Sequence, residues 1–320
     1  MRVVVTGGAG FIGSHLCEAL HARGDDVICI DNLSSGLVDN VAHLLESPRF
    51  HLDVHDIREA IEVSGPVDAV VNLASLASPP AYLDRPVFTL TTGSIGTHRA
   101  LDLAAAHDAR FVQASTSEVY GDPAIHPQTE DYWGNVNPIG PRSVYDEAKR
   151  YAEALVAAYT RSGINAGIVR IFNTYGPRMR RDDGRVVTNF IAQALAGEPL
   201  SVYGDGSQTR SLCYVSDMVR GFLAMIDSRV KGPVNLGNPQ ELTVREIAER
   251  IRDIAGSTSV IDYHPLPEDD PTRRRPDISV ARAELDWSPL VDVAEGLEKT
   301  VSWNCMKYAE NPSFVDAVSI

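Results

Sequence analysis

This sequence predicts an α/β fold, a doubly wound parallel sheet with a smaller C-terminal α/β region that binds substrate, on three observations. Short β-branched or apolar runs alternate with helical periodicity through the first half of the chain. A glycine turn, Gly7-x-x-Gly10-x-x-Gly13, joins the first run to the first helical pattern. An acidic residue, Asp31, closes the second run. At 320 residues and 44% hydrophobic content the chain has ample material for a core.

In chain order, Val3-Val4-Val5-Thr6 predicts a strand, and Leu16, Ala19 and Leu20 at helical spacing predict a helix that stops at Gly24. Further strands are expected at 26–30, 50–53, 67–73, 111–114 and 164–172, with helical material between them. Residues 143–162 predict a helix with Ala148, Ala152, Leu155, Val156 and Tyr159 on one face. Beyond Asn173 the composition changes: a basic segment at 178–181, a Gly/Pro-punctuated stretch at 197–206, helices near 187–196, 217–228 and 243–255, and a short strand at 233–236. The expected division is therefore 1–173 for a nucleotide-binding domain, 174–305 mainly for substrate with the chain crossing between regions, and 306–320 for a tail without regular structure. Prolines 265, 267, 271 and 276 predict an extended charged loop.

A formal charge of -14 argues against nucleic acid or an anionic membrane as the main partner. Cys17, Cys29, Cys213 and Cys305 are scattered without metal-ligand spacing, and so are His15, His98, His107 and His126. Neither a metal site nor a disulfide framework is expected, and a reducing cytoplasm fits. Cys17 and Cys29 read as small buried apolar residues. No long apolar h-region follows Met1, and no run is long enough to span a bilayer.

The glycine turn has a physical purpose at each position. The first glycine permits the turn, the second lets a pyrophosphate approach the backbone, and the third lets the helix pack close to the sheet. Asp31, 18 residues after Gly13, can accept hydrogen bonds from ribose hydroxyls and would repel a 2′-phosphate, so NAD is favoured over NADP in this Rossmann-type arrangement. Tyr145-x-x-x-Lys149 puts a phenol and an ammonium one helical turn apart. A phenol titrating near ~10 is a poor base, but a neighbouring cation lowers that value, and the pair can then move the proton of a hydroxyl being oxidised. Upstream, an apolar approach from Phe111 runs into Ser115, Thr116, Ser117 and Glu118, the form of a buried strand delivering polar groups to a site. Taken singly, each feature also suits a plain turn, a surface pair or a solvated acid; it is their combination that points to a site.

That combination resembles the extended short-chain dehydrogenase/reductases that act on nucleotide sugars, over residues 1 to about 301, and within them the UDP-glucuronate decarboxylases. The residues carrying the resemblance include Ser115-Thr116-Ser117-Glu118-Val119-Tyr120-Gly121, Gly134-Asn135-Val136-Asn137-Pro138-Ile139-Gly140-Pro141-Arg142, Tyr145-Asp146-Glu147-Ala148-Lys149-Arg150, Gly206-Ser207-Gln208-Thr209-Arg210 and Arg274-Arg275-Pro276-Asp277. The resemblance implies that NAD takes and returns a hydride with no net consumption. Tyr145, helped by Thr116 and Lys149, would remove the proton of the sugar 4-hydroxyl, and the 4-ketone so formed would ease loss of carbon dioxide before re-reduction to UDP-xylose. It further implies cofactor contacts from Gly7, Gly10, Phe11, Ile12, Gly13, Asp31, Asn32, Asp53, Val54, Leu73, Ala74, Tyr145 and Lys149. Substrate contacts would come from Thr116, Ser117, Asn173, Arg185, Tyr203, Arg210 and Arg274. Among these, Asn173, Arg185 and Arg274 would meet the diphosphate and Tyr203 the uracil, while Glu118 and Arg210 would flank C5 and C6. A homodimer through segments near 95–106 and 148–159 is implied as well.

The chain also departs from the family pattern. Asn72 stands where His is usual, and Thr91-Thr92-Gly93 where Lys-Thr-Asn is usual, which bears on how NAD is held and whether a 4-keto intermediate escapes. Three alternatives remain at this stage. A UDP-glucuronate or UDP-hexose 4-epimerase needs the same tyrosine, lysine and NAD but no carboxylate at 118. A 4,6-dehydratase would want an Asp-Glu pair where this chain has Ser117-Glu118. A protein that only binds NAD or a nucleotide sugar would have no need of Thr116, Tyr145 and Lys149 together.

Overall fold

Val3, Val4 and Val5 are completely buried, and consecutive buried residues on a strand require cover on both faces. The computed structural model, which describes residues 1–266 and 273–310, provides that cover. Seven parallel strands form the sheet: β1 (Arg2–Thr6), β2 (Asp26–Ile30), β3 (Phe50–Asp53), β4 (Ala69–Asn72), β5 (Arg110–Thr116), β6 (Ala166–Ile171) and β7 (Val234–Leu236). Their order is β7-β6-β5-β4-β1-β2-β3, so the direction of winding reverses between β1 and β4. Every expected strand is present, with ends moved by at most two residues.

Side chains alternate between two layers as the strand period requires. Val3, Val5, Val71 and Val112 pack with Leu16, Leu20, Phe222 and Trp287, on the side covered by helices Phe11–Arg23, Val215–Asp227 and Ser279–Leu285. Val4, Val70, Phe111 and Ile168 pack with Leu101, Ala104 and Val156, under helices Thr97–Ala106 and Ser143–Arg161. A separate core around Phe190, Ile191, Ile247, Ile251 and Leu297 gathers helices Val186–Ala196, Val244–Ile254 and Val293–Glu310 into the C-terminal region. Thr243 and Glu246 cap the second of these helices reciprocally.

The sequence division at 173 follows the chain but not the space. Strand β7 lies beyond it, yet pairs with β6 in register Val234↔Val169 through Leu236↔Ile171, because helix Val215–Asp227 supplies the crossover that a parallel partner needs. The last helix continues to Glu310, so the start of the stretch expected to be irregular is helical; the remainder lies outside the described residues. Of the expected 265–276 loop, residues 267–272 also lie outside them. Among the described residues no helix is long and apolar enough to cross a membrane.

A buried polar network ties strands β5, β6 and β7 to helix Ser143–Arg161. Glu153 accepts from Arg170 Nε at 2.9 Å and Nη2 at 2.8 Å, and from Ser115 Oγ at 2.5 Å. Arg170 also donates to Tyr120 Oη at 2.9 Å, and Tyr120 donates to Asn235 Oδ1 at 2.7 Å. Removing one partner of such a pair leaves a buried charge uncompensated, at a cost of ~3–5 kcal/mol. Urea unfolding of Glu153→Ala should show a loss of that order, whereas a change below ~1 kcal/mol would mean that solvent reaches Arg170 freely.

Candidate active site

Because the seven strands are parallel, their carboxyl ends share one edge, and a cleft of 1010 Å³ opens there between the sheet and the C-terminal region. That volume exceeds the ~300–1,000 Å³ of sites for one small ligand. On the β1 side the glycine turn fits the backbone of a dinucleotide. Gly7 has φ +69°, and a Cβ there would lie 2.8 Å from the Ala74 backbone. A Cβ on Gly13 would lie 2.1 Å from the Gly7 carbonyl oxygen, so only glycine lets the helix start this close to the turn. No acidic residue occupies the first turn of helix Phe11–Arg23, which leaves its amide end open to a pyrophosphate.

Asp31 is buried at the end of β2 and accepts from the amides of Ala9 at 3.0 Å and Leu33 at 2.8 Å. Burial raises its pKa against the effect of these two bonds, and the carboxylate keeps lone pairs for ribose hydroxyls. Phe11, Ile12, Asn32, Leu73 and Ala74 line the same end of the cleft. Asp53 and Val54 do not; the wall there is His55, Asp56 and Ile57. After β3 the chain folds back, His55 donating its amide to the Asp31 carbonyl at 3.2 Å, and the cleft is met by the residues that follow. The set as a whole fits NAD.

Tyr145 and Lys149 come from the first two turns of helix Ser143–Arg161 and are both buried. Thr116 ends β5 beside Tyr145, its hydroxyl placed to favour the ionised phenol. Tyr82 stacks on Tyr145 with ring centroids 5.3 Å apart and planes 7° from parallel. Lys149 Nζ lies 5.7 Å from the Tyr145 ring centroid and donates to the Ala114 carbonyl at 3.0 Å. Burial lowers the Lys149 pKa to about 8. Burial also pushes the Tyr145 phenol well above its ordinary value, against the effects of the Thr116 hydroxyl and the charge of Arg185. The ammonium alone therefore does not make this phenol a base; further positive charge is needed, which an oxidised nicotinamide carries.

Glu118 is the focus of the remaining charges. Arg142 Nη2 donates to its Oε2 at 2.6 Å, while Arg274 sits on both oxygens at 3.0 Å. Arg274 also donates to Ser117 Oγ at 2.9 Å and to the Gly121 carbonyl at 3.1 Å. Burial opposes ionisation of Glu118, but the charges of Arg274 and Arg142 outweigh it and hold the carboxyl down at about 2. Asp146 has the opposite balance: burial, then the charge of Glu118, lifts it to about 7, although it does not line the cleft. Arg142 was not anticipated as a site residue, and Arg274, expected at a diphosphate, stands against Glu118. Asn173, Arg185, Tyr203 and Arg210 line the far side of the cleft, Arg185 paired with Asp183. Arg210 is buried on the short strand Thr209–Ser211.

Comparison with known proteins agrees with this geometry. Residues 3–237 match the NAD dependent epimerase/dehydratase family. The chain is 52% identical over 303 residues to UDP-glucuronic acid decarboxylase 1 of Arabidopsis thaliana, covering 94% of this chain and 69% of that protein. Among solved structures, a dTDP-glucose 4,6-dehydratase of Streptomyces venezuelae with NAD and TYD bound superposes with TM-score 0.88 at 31% identity, covering 100% of both chains. A UDP-glucuronic acid 4-epimerase of Bacillus cereus, in complex with UDP-glucuronic acid and NAD, gives TM-score 0.85 at 28% identity over 96% of this chain and 100% of that one.

The clamp on Glu118 has a pH signature. With its pKa at about 2 in the fold, against ~4.3 for a free glutamate, the carboxylate contributes its full stabilisation above ~4.3 and loses it as pH falls toward the lower value. Glu118→Gln should therefore be less stable than wild type at neutral pH, with the gap in urea midpoint narrowing between roughly pH 5 and pH 3. A gap that is constant over this range would contradict charge pairing as the source.

Proposed function

The chain belongs to the NAD dependent epimerase/dehydratase family, within its UDP-glucuronic acid decarboxylase relatives, and from that premise we propose that it converts UDP-glucuronate to UDP-xylose and carbon dioxide using NAD catalytically. The observation that carries the decarboxylation is the charge arrangement opposite Tyr145. Two guanidiniums close on one carboxylate, which leaves a positive excess suited to a sugar that itself bears a carboxylate.

NAD held by the glycine turn, Asp31 and the Leu73–Ala74 wall supplies a hydride acceptor that later returns the hydride. Tyr145, beside Thr116 and Lys149, takes the proton of the C4 hydroxyl as that carbon is oxidised. The C6 carboxylate then stands β to a ketone, so the C5–C6 bond breaks with its electron pair passing into an enolate and carbon dioxide leaving. A proton returns to C5, and Tyr145 gives its proton back to the C4 oxygen as the ketone is reduced. Arg274 and Arg142 fix Glu118 beside the ring as a permanent anion, which positions the sugar or an ordered water. Arg185 and Asn173 serve the nucleotide diphosphate end, Tyr203 the base, and Arg210 the C5 and C6 region. A 4,6-dehydratase would need a second acid on the cleft wall beside Glu118, where Ser117 stands and hydrogen-bonds Arg274.

We also infer a homodimer. Leu83, Val87, Leu90, Ile95 and Tyr151 form an exposed apolar ridge on helices Pro79–Asp84, Pro86–Thr91 and Ser143–Arg161 and the turn between, with Val87 70% exposed. A second copy covering this ridge would remove it from water. The acidic, cysteine-poor composition suits the cytoplasm.

Incubation with UDP-glucuronate and NAD should give a nucleotide sugar lighter by one carbon dioxide in mass spectrometry; a product of unchanged mass would instead establish epimerisation. Tyr145→Phe should lower kcat by ~10²–10⁴-fold with UDP-glucuronate binding nearly intact, and near-normal turnover would exclude it as the proton carrier. Light scattering should return twice the chain mass, and a monomer mass would rule out the dimer.

A further inference from the structure

Beneath the cleft, a line of buried amides runs from the first strand to the catalytic lysine. Thr6 Oγ1 donates to Asn72 Oδ1 at 2.6 Å. Asn72 Nδ2 donates to Gln113 Oε1 at 2.9 Å and to Thr97 Oγ1 at 3.2 Å. Gln113 Nε2 donates to the Ala114 carbonyl at 3.0 Å, the same oxygen that receives Lys149 Nζ at 3.0 Å. Thr6, Asn72, Thr97 and Gln113 are each at most 2% exposed. Pairing between β4 and β5 ends at Asn72↔Gln113, so Ala114 lies one residue past the last rung on that side, where a side-chain donor can set its carbonyl.

Given the decarboxylation proposed above, we propose that Asn72 and Gln113 are positioning residues for Lys149: they aim the Ala114 carbonyl at the ammonium and thereby hold it one turn from Tyr145. Two observations favour this over a purely structural purpose. First, the direction of donation is uniform, Thr6 to Asn72 to Gln113 to Ala114, so the amide line ends on the same oxygen that receives Lys149 and fixes where that oxygen lies. Second, among the described residues Lys149 forms no ion pair: its hydrogen bond goes to a carbonyl, and Glu153, one turn further along the helix, is held by Ser115 and Arg170. Tyr145 and Asp146 lie on its own helix, Glu118 and Arg185 reach toward Tyr145, Tyr82 stacks on that ring, and residues 86–97, packed against the helix, contain nothing titratable. Burial brings Lys149 to about 8, so a carbonyl no longer held on the ammonium would bring deprotonation into the working range. Asn72 accepts at one atom and donates at another, two functions that a neutral imidazole can also perform.

The test uses Gln113→Met and Asn72→Leu, which keep volume and remove the amides, with Asn72→His as the conservative control. Hydrogen bonds to a charged group of this kind correspond to a shift of about one pH unit. The alkaline limb of kcat should move down by about that amount in Gln113→Met and Asn72→Leu, with kcat near wild type below roughly pH 7 and KM unchanged, while Asn72→His stays within about twofold of wild type. A readout independent of turnover is the NMR titration of protein labelled at lysine Cε, simple because the chain has four lysines, at 149, 231, 299 and 307. The resonance lost in Lys149→Met should titrate lower in the two amide variants. Unchanged titration, or equal loss of kcat at every pH together with a lower Tm, would overturn the positioning assignment. If wild type releases no carbon dioxide, the decarboxylase proposal fails, while the NMR shift still decides the relation of Gln113 to Lys149.

Discussion

Three segments distant in the chain meet on one carboxylate. Glu118 follows the end of β5, Arg142 precedes the helix that carries Tyr145, and Arg274 comes from the segment after residues 267–272. Arg274 is nearly withdrawn from water and Arg142 partly so, and a charge buried like that of Arg274 is tolerated inside a protein only when paired. The pairing therefore fixes more than the glutamate. It anchors the C-terminal strap to the sheet, and it holds the start of the catalytic helix beside Thr116. Gln128 reinforces the strap, its amide and carbonyl pairing with Arg275 and Asp277. On the proposed mechanism, one cluster would order both the group that serves oxidation at C4 and the charge beside C6.

Burial sets the protonation states around that cluster, and it acts differently on each group. It lowers Lys149, raises Tyr145 and Asp31, and raises Asp146 further because Glu118 stays ionised. The phenol is consequently neutral until a positive charge arrives, and the same charge would make it easier to ionise. Coupling of this sort suits a cycle in which one site first oxidises and then reduces the same carbon, since the proton and the hydride leave and return together.

Features whose geometry is local were legible in the sequence. The glycine turn, Asp31 and the Tyr145–Lys149 spacing depend on periodicities of the chain itself, and the structure places all of them on the cleft. The strands were legible because burial on both faces demands unbroken apolar runs. Pairings across the chain were not: Arg142 lies 24 residues from Glu118 and Arg274 lies 156, and nothing near any of them announces the partner. Asp53 and Val54 were expected at the cofactor from the family resemblance, but the fold-back after β3 presents Asp56 and Ile57 to the cleft. Helix Val293–Glu310 was not read from the sequence, and its last turn lies in the stretch expected as tail.

Loss of the carboxylate through a C5 enolate requires that C5 acquire a new hydrogen from solvent. Reaction of UDP-glucuronate and NAD with the protein in deuterated water, followed by proton and carbon NMR, tests this most directly. The expected product is a UDP-pentose with one deuterium at C5 and no carboxyl carbon; a six-carbon uronate that keeps its C5 hydrogen would contradict decarboxylation at the Glu118 cluster.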